Sequence, residues 1–243
     1  MWWGWARACY ADPLDAPDTL PPERSQNIDA VAEIDRVLSS LADDLVPGAV
    51  SVGSRLIDDA DLRALAADEA AIVANAVLRR RREFASGRVL LHQLIGSDLP
   101  IGVTSNRSPQ LPLGWRGSLA HDATFAVAAL SREIAIRSIG IDIEPMTVLS
   151  VETARVILRH DDSPIDAHLA FTLKEAAYKA WSLGGGPMLE HHDVRLRVSG
   201  ATFEAEVIPN GAIFTGRFAI ASSRWLALVI DLWTSDTSFA AGR

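Results

Sequence analysis

The sequence predicts an α+β fold, because segments with helical periodicity and segments with strand character occupy different parts of the chain. Apolar residues recur at three- and four-residue spacing from Ile28 to Leu41 and again from Leu62 to Leu94, which indicates amphipathic helices. The apolar runs 125–130 and 134–143, bounded by polar residues, are typical of strands. Three or four further strands are expected from Val194 to Trp233. Separate runs of helices and strands favour the α+β class.

Glycine and proline mark where the predicted elements end. Gly96 and Pro100 end the second helical region, and Gly-Gly-Gly-Pro at 184–187 ends a helix predicted over Phe171 to Leu183. Four prolines with acidic neighbours disfavour regular structure before Asn27, so we expect a loosely attached arm over residues 1–27. These prolines are Pro13, Pro17, Pro21 and Pro22.

Two segments hint at an internal duplication. Gly-Ser-Leu-Ala at 117–120 precedes the apolar run 125–129, and Gly-Arg-Phe-Ala at 216–219 precedes a similar run at 225–229. The dipeptide Asn210-Gly211, which precedes the second of these segments, is typical of a hairpin turn. Apolar strands often resemble one another by chance, so the sequence leaves duplication and coincidence equally open.

The composition is that of a soluble, cytoplasmic protein. The chain has 243 residues, of which 49% are hydrophobic and 22% are charged, and no apolar stretch reaches the roughly 18 residues that a membrane helix needs. The N-terminus lacks the pattern of a secretory signal. Cys9 is the only cysteine, which excludes an internal disulfide and a cysteine-based zinc site. Neither a membrane nor a nucleic acid is expected as a partner, the latter because the net charge is −8.

One basic segment stands out on this acidic chain. Residues 79–88, Arg-Arg-Arg-Arg-Glu-Phe-Ala-Ser-Gly-Arg, hold five arginines in ten positions. Arginine binds phosphate oxygens through forked hydrogen bonds. The pattern therefore predicts a local anion site.

Two carboxylates share one face of a predicted strand. In Ser-Ile-Gly-Ile-Asp-Ile-Glu-Pro at 138–145, strand alternation places Asp142 and Glu144 on the face opposite Ile139, Ile141 and Ile143. Like charges so close are unfavourable unless a cation or hydrogen-bond donors lie between them. Oxygen ligands of this kind suit Mg²⁺, although a solvated acidic strand edge would give the same pattern.

A later helix adds a third carboxylate and two cations. Phe-Thr-Leu-Lys-Glu-Ala-Ala-Tyr-Lys-Ala-Trp at 171–181 carries Lys174, Glu175 and Lys179. A surface ion pair between Glu175 and Lys179 would contribute only about 0.3–0.5 kcal/mol, so stability explains little of this pattern. Each motif alone also fits an ordinary solvated surface. Together with the arginine segment and His121, however, they are the components of a Mg²⁺-assisted phosphoryl-transfer site.

At this point the chain resembles the 4'-phosphopantetheinyl transferases of the surfactin-synthetase and enterobactin-synthetase type. Four segments carry the resemblance, in the order in which the family has them: 81–88, Gly-Ser-Leu-Ala-His at 117–121, Gly-Ile-Asp-Ile-Glu-Pro at 140–145, and 171–180. The resemblance implies a monomer of two similar α+β halves related by a pseudo-twofold axis, with coenzyme A bound between them. The halves would span residues 28–116 and 117–243.

The resemblance also implies roles for individual residues. Asp142, Glu144 and Glu175 match the family's magnesium ligands, and Lys174 and Lys179 match its phosphate-contacting lysines. The 3'-phosphate and adenine end of coenzyme A would be held by Arg80, Arg88, Arg107 and His121. The family commonly has Ser or Thr where this chain has Ala120, so one hydroxyl donor, worth about 0.5–1.5 kcal/mol, is absent. Asp161 and Asp162 are interpreted as loop residues, not as further ligands.

The expected reaction is transfer of the 4'-phosphopantetheine arm of coenzyme A to a serine of an acyl or peptidyl carrier protein, with Mg²⁺ as cofactor. Asp142, Glu175 and Lys179 would be catalytic, with Glu175 or a water molecule as the base. Gly-Pro-Met-Leu at 186–189 is expected to form part of the carrier docking patch, although Met188 and Leu189 could equally fill the core. A metal-dependent phosphohydrolase or nuclease and a non-catalytic coenzyme A binder are the alternatives.

Overall fold

The computed structural model describes residues 24–233. Five α-helices lie in this part of the chain: α1 (Arg24–Leu45), α2 (Ala67–Ile72), α3 (Leu78–Ile95), α4 (Val151–Ile157) and α5 (Ala167–Leu183). Short 3-10 helices span Asp59–Arg63 and His191–Asp193. The part of the predicted N-terminal arm up to residue 23, including Cys9, lies outside the described residues. The remaining residues of the arm, 24–27, belong to α1.

Ten strands form three antiparallel sheets within residues 24–233. The strands are β1 (Ser51–Leu56), β2 (Gly102–Val103), β3 (Pro109–Gln110), β4 (Arg116–His121), β5 (Phe125–Ser131), β6 (Ile136–Pro145), β7 (Val194–Ser199), β8 (Thr202–Val207), β9 (Ala212–Ala221) and β10 (Arg224–Leu232). A three-stranded sheet has the order β1-β5-β4, a five-stranded sheet has the order β6-β10-β9-β8-β7, and β2 pairs with β3. The predicted mixture of helices and strands is confirmed.

The helices agree with the periodicity except between residues 62 and 94. There the single predicted helical region is divided into a 3-10 helix, α2 and α3. Two buried carboxylates form bonds at the first break, before α2: Asp61 pairs with Arg55 and accepts a hydrogen bond from Ser86, and Glu69 accepts one from the Ala66 amide at 3.1 Å. These bonds hold the chain in turns that apolar spacing cannot reveal. Helix α3 ends as predicted, at Gly96 with φ 70°.

The sheets pack in layers with helices on both faces. Helix α1 covers one face of both sheets, because Ile34, Leu38 and Leu41 recur at three- and four-residue spacing and are buried against β5, β6 and β10. Helix α5 packs against the opposite face of the five-stranded sheet, and α3 packs against the opposite face of the three-stranded sheet. None of the helices within residues 24–233 has the length and apolar character needed to span a membrane.

The strand order shows where the predicted boundary between the two halves lies. Strand β4 begins at Arg116 and pairs with β5, and β5 pairs with β1 in the three-stranded sheet. The predicted boundary between residues 116 and 117 therefore falls within one sheet, and the chain changes sheets between Ser131 and Ile136. The apolar character of β4 and β5 could not reveal this, because strand partners are set by tertiary packing.

Strand β6 approaches α5 unusually closely, at Gly140. A Cβ atom at this position would lie 1.9 Å from the Ala176 carbonyl oxygen and 2.7 Å from the Ala180 amide nitrogen. Only glycine permits this approach of two backbones. As a result, Asp142 and Glu144, which follow Gly140 at alternate positions, lie on the side of β6 that faces α5. Ile139, Ile141 and Ile143 share the opposite face, as predicted, and are buried toward α1.

Candidate active site

One pocket brings together eight of the nine predicted site residues. It is lined by α3, the loop between β2 and β3, strands β4 and β6, and α5. Strands β4 and β6 are the facing edges of the two sheets, and the Ile141 amide donates to Ser118 Oγ across them at 3.3 Å. The predicted residues in the pocket are Arg80, Arg88, Arg107, His121, Asp142, Glu144, Glu175 and Lys179. Lys174 is not among them.

Asp142 and Lys179 form a buried ion pair at one end of the pocket. Lys179 Nζ donates to Asp142 Oδ1 at 2.5 Å and to the Ile141 carbonyl oxygen at 3.0 Å. The second carboxylate oxygen, Asp142 Oδ2, is buried and has no hydrogen-bond partner within residues 24–233. A buried acceptor without a partner is costly, so this oxygen is suited to a ligand that supplies positive charge.

Glu144 is held by a histidine that the sequence reasoning missed. His168, at the start of α5 and fully buried, places Nε2 3.4 Å from Glu144 Oε2, while its Nδ1 lies 2.8 Å from the Thr147 carbonyl oxygen. His168 precedes Glu175 by seven residues, and two helical turns bring both side chains to the same face of α5. That spacing is the signal from which the histidine could have been found.

The three carboxylates share a poorly solvated space. Burial, followed by the charges of Asp142 and Glu144, raises the pKa of Glu175 to about 8. Burial, followed by the charge of Asp142, raises the pKa of Glu144 to about 7, against the opposing hydrogen bond from His168. Burial also raises the pKa of Asp142. Repulsion among the three carboxylates therefore favours either protonation or a bound cation.

The oxygen atoms of the three carboxylates are suitable metal ligands, but the three side chains do not converge on one metal position. Within residues 24–233 no group of three or more His, Cys, Asp or Glu side chains has the arrangement of a metal site. The physical reason lies in their present partners, since Lys179 holds Asp142 and His168 holds Glu144. Carboxylate oxygens are nevertheless the donors that Mg²⁺ prefers, and Asp142 Oδ2 is available to it.

The other end of the pocket is basic. Arg80 Nη1 lies 3.1 Å from His121 Nε2, and the buried Glu83 beneath them pairs with Arg79 at 2.9 Å and with Arg80 at 3.6 Å. Burial, followed by the charge of Arg80, lowers the pKa of His121 to about 3. His121 is therefore neutral, and the arginines supply the positive charge at this end.

Arg88 and Arg107 reach the pocket in different ways. Arg88 is 3% exposed and donates from Nε to the Ile101 carbonyl at 2.8 Å and from Nη2 to the Gly102 carbonyl at 3.0 Å. Burial is the main reason that its pKa is lowered, to about 10. Arg107 instead lies on the exposed loop between β2 and β3 and has a left-handed backbone, with φ 66°.

Lys174 does not contact the pocket, contrary to the role predicted from the family motif. Its ammonium is 1% exposed and donates to Asp162 Oδ2 at 2.8 Å, to the Ile157 carbonyl at 2.8 Å and to the His191 carbonyl at 3.0 Å. Neighbouring residues of a helix point about 100° apart, so Lys174 leaves the face that carries Glu175. Asp162 lies in a loop, as predicted, and serves as the buried partner of Lys174.

Two further predictions concern the pocket wall and the docking patch. Ala120 lines the pocket and is buried at 5% exposure, and Ser118 beside it presents a buried hydroxyl. In the predicted patch, Met188 is 49% exposed, whereas Leu189 is 5% exposed and belongs to the core. The core interpretation therefore holds for Leu189, whereas Pro187 and Met188 are exposed.

Comparisons with known proteins agree with the resemblance. A family model described as the 4'-phosphopantetheinyl transferase N-terminal domain matches residues 68–131. The chain is 34% identical over 150 residues to the 4'-phosphopantetheinyl transferase Npt of Nocardia iowensis, covering 56% of this chain and 67% of that protein. It is also 34% identical over 169 residues to Svp of Streptomyces mobaraensis, covering 62% and 68% respectively.

A third relative is named as a component of enterobactin synthase. Enterobactin synthase component D of Salmonella typhimurium is 34% identical over 119 residues, covering 43% of this chain and 49% of that protein. The segment of this chain that matches the family model ends at Ser131, the last residue of β5 in the three-stranded sheet. On the extent of these similarities, the chain belongs to the 4'-phosphopantetheinyl transferase family of enzymes.

Proposed function

We propose that the protein transfers the 4'-phosphopantetheine moiety of coenzyme A to a serine of an apo acyl or peptidyl carrier protein and releases 3',5'-ADP. One observation carries the proposal: a single pocket has Lys179 and three carboxylates at one end and Arg80, Arg107 and His121 at the other. Coenzyme A has a pyrophosphate and, separately, a 3'-phosphate. The basic end suits one phosphate group directly, and the carboxylate end would suit the other through Lys179 and a bound cation.

The reaction is an in-line displacement at the β-phosphorus of coenzyme A. The serine oxygen forms a new bond to that phosphorus, and the bond to the oxygen that bridges the α- and β-phosphates breaks. The electron pair leaves with 3',5'-ADP, and the serine proton passes to a base. Glu175, which lines the same pocket as Lys179, or a water molecule in the pocket would serve as this base.

The remaining pocket residues would position the coenzyme. Asp142, Glu144 and Glu175 would hold Mg²⁺, which when bound acts as a Lewis acid and neutralises phosphate charge. Lys179, now paired with Asp142, would donate to a phosphate oxygen once the carboxylate has another cationic partner. The arginines would bind the 3'-phosphate through forked hydrogen bonds.

The strand orders support two similar halves. In the three-stranded sheet β1 and β4 flank β5, and in the larger sheet β6 and β9 flank β10. Each half therefore has a first strand, then a helix, then a hairpin whose last strand pairs back with the first. This parallel supports a duplication related by a pseudo-twofold axis, with the active site between the halves.

Transfer from a fluorescent coenzyme A derivative to a panel of purified apo carrier proteins tests the proposal. The panel includes a siderophore carrier, because one relative is named for enterobactin synthase. We expect Mg²⁺-dependent labelling of at least one carrier and loss of labelling in Asp142→Ala. Glu204→Ala, which removes an exposed carboxylate from β8, is the control and should keep full activity.

Two results would contradict the proposal. Release of free phosphopantetheine in the absence of any carrier would indicate a phosphohydrolase. Calorimetric binding of coenzyme A without labelling of any carrier in the panel would indicate a non-catalytic binder. Full labelling by Asp142→Ala would reject the metal-ligand assignment, because the buried Asp142 Oδ2 is the oxygen on which that assignment depends.

A further inference from the structure

The loop between β2 and β3 holds Arg107 in a strained backbone conformation. Its φ is 66°, in the left-handed region that side chains other than Gly, Asn and Asp seldom adopt. The other non-glycine residues with positive φ within residues 24–233 are Ser222 and Ser223, which form the tight turn between β9 and β10. Strain of this kind persists only where surrounding contacts enforce it, and it concentrates at functional sites.

Asn106 supplies those contacts. Its Oδ1 accepts hydrogen bonds from the Ser108 amide at 3.3 Å, from Ser108 Oγ at 2.9 Å and from Thr104 Oγ1. Around it the backbone closes, with Arg107 N donating to Thr104 O and Thr104 N donating to Ser108 O, both at 2.9 Å. One side chain therefore fixes both flanks of Arg107.

The same side chain reaches the helix that carries the catalytic lysine. Asn106 Nδ2 donates to Ser182 Oγ at 3.2 Å, and Ser182 follows Lys179 by one helical turn in α5. The loop precedes β4, in the part of the chain that builds the three-stranded sheet, whereas α5 packs on the five-stranded sheet. The bond therefore links the basic end of the pocket to the lysine end.

The positive charge of Arg107 is a reason why the loop needs to be held in place by Asn106. It lies near Arg80, whose pKa is lowered by burial and further by the charge of Arg107. No acidic side chain within residues 24–233 forms a salt bridge with Arg107. Two guanidinium groups repel each other unless an anion lies between them, so an unrestrained loop would move Arg107 away from Arg80 and the pocket.

We propose that Asn106 is a positioning residue for the anion site, which holds Arg107 against the pocket and, through Ser182, sets the basic end at a fixed distance from Lys179. The inference rests on the proposed function, because it takes the 3'-phosphate of coenzyme A as the anion that Arg107 meets. It assigns Asn106 no contact with coenzyme A.

The test is a double-mutant cycle read by calorimetry. Binding of coenzyme A and of 3'-dephospho-coenzyme A is measured for the intact protein, Asn106→Ala, Ser182→Ala, Arg107→Ala and the Asn106→Ala/Arg107→Ala double variant. The affinity ratio of the two ligands isolates the 3'-phosphate. Asn210→Ala is the matched control, because Asn210 Oδ1 accepts from the Ala212 amide in an exposed hairpin turn away from the pocket.

We expect Arg107→Ala to lower the ratio by about tenfold or more, as for a lost charge-assisted hydrogen bond. Asn106→Ala should lower it by a comparable factor, Ser182→Ala by a smaller factor, and Asn210→Ala should leave it unchanged. In the Arg107→Ala background, Asn106→Ala should add nothing further. Thermal unfolding of each variant separates loop effects from misfolding, and Ser182→Ala keeps the test decisive if Asn106→Ala does not fold.

Three outcomes would overturn the inference alone. Ratios within twofold of the intact protein in both Asn106→Ala and Ser182→Ala would show that the bonds do not position the arginine. A full additional loss from Asn106→Ala in the Arg107→Ala background would show that Asn106 acts independently of Arg107. An unchanged ratio in Arg107→Ala would also overturn it, while the transfer assay reports separately on the proposed function.

Discussion

At the scale of single residues, the two lysines of one motif have different roles. Lys174 and Lys179 lie five positions apart on α5, yet the first is bound to Asp162 and two carbonyl groups and the second faces the pocket. The sequence could identify both as candidates but not distinguish them. Their difference depends on which neighbouring element each side of α5 meets.

Lys174→Met should destabilise the protein without removing a pocket group. The substitution leaves the buried Asp162 carboxylate without its cation, which typically costs about 3–5 kcal/mol. Urea denaturation should show a lower midpoint for Lys174→Met. The Lys174→Met/Asp162→Leu double variant should recover part of the loss, because no charge then stays buried alone. An unchanged midpoint in Lys174→Met would reject the structural role.

Ala120 is a second single-residue case. Ala120→Ser restores the hydroxyl that the family commonly has at this place, in a side chain that lines the pocket. One neutral hydrogen bond contributes about 0.5–1.5 kcal/mol, so coenzyme A should bind roughly 2- to 13-fold more tightly. Calorimetric titration measures this, with Ser131→Ala on β5, outside the pocket lining, as a folding control. Equal or weaker binding by Ala120→Ser would contradict the prediction.

At the scale of elements, the close packing of β6 on α5 creates the site. Gly140 permits the two backbones to meet, which places Asp142 within 2.5 Å of Lys179. The sequence predicted both elements and the two faces of β6. It could not predict that β6 pairs with β10 rather than with β5, its neighbour in the chain, because both are similarly apolar.

Gly140→Ala should disrupt this packing. Its Cβ would meet backbone atoms of α5 that cannot rotate away, and such overpacking typically costs about 1–3 kcal/mol or more. We expect a lower unfolding midpoint and weaker Mg²⁺ binding, since α5 must move away from β6. Gly184→Ala is the control, because φ is −73° there and the nearest atom would be 3.3 Å from the Cβ. Equal midpoints for the two variants would show that the contact is not tight.

At the scale of the whole molecule, stability and pH are coupled, and the proposed metal should couple to both. The pKa values of Glu144 and Glu175, about 7 and about 8, lie above the ordinary value of 4.5. The folded protein therefore binds these protons more tightly than the unfolded chain does, and without metal its stability should fall as pH rises from about 4.5 to 8. A cation that binds only the folded state offsets this loss.

Mg²⁺ should therefore raise the unfolding temperature more at pH 8.5 than at pH 6. Binding should also release protons, because the ligands must be ionised. Differential scanning calorimetry with and without Mg²⁺ measures the first effect, and titration in two buffers of different ionisation enthalpy measures the second. A Glu175→Gln variant should release fewer protons. A pH-independent Mg²⁺ effect would contradict the assignment of these carboxylates as ligands.

The sequence by itself identified the groups that could carry chemistry and several of the local elements. It identified the acidic strand, the lysine helix, the arginine segment and the glycine stop signals, because residue type and periodicity are local properties. The tertiary structure decided which of these groups meet. It brought eight predicted residues to one pocket, turned Lys174 away from it, added His168, and assigned β4 and β5 to the first sheet. Such outcomes depend on strand pairing and on the orientation of packed helices, which are set by contacts between residues distant in the chain.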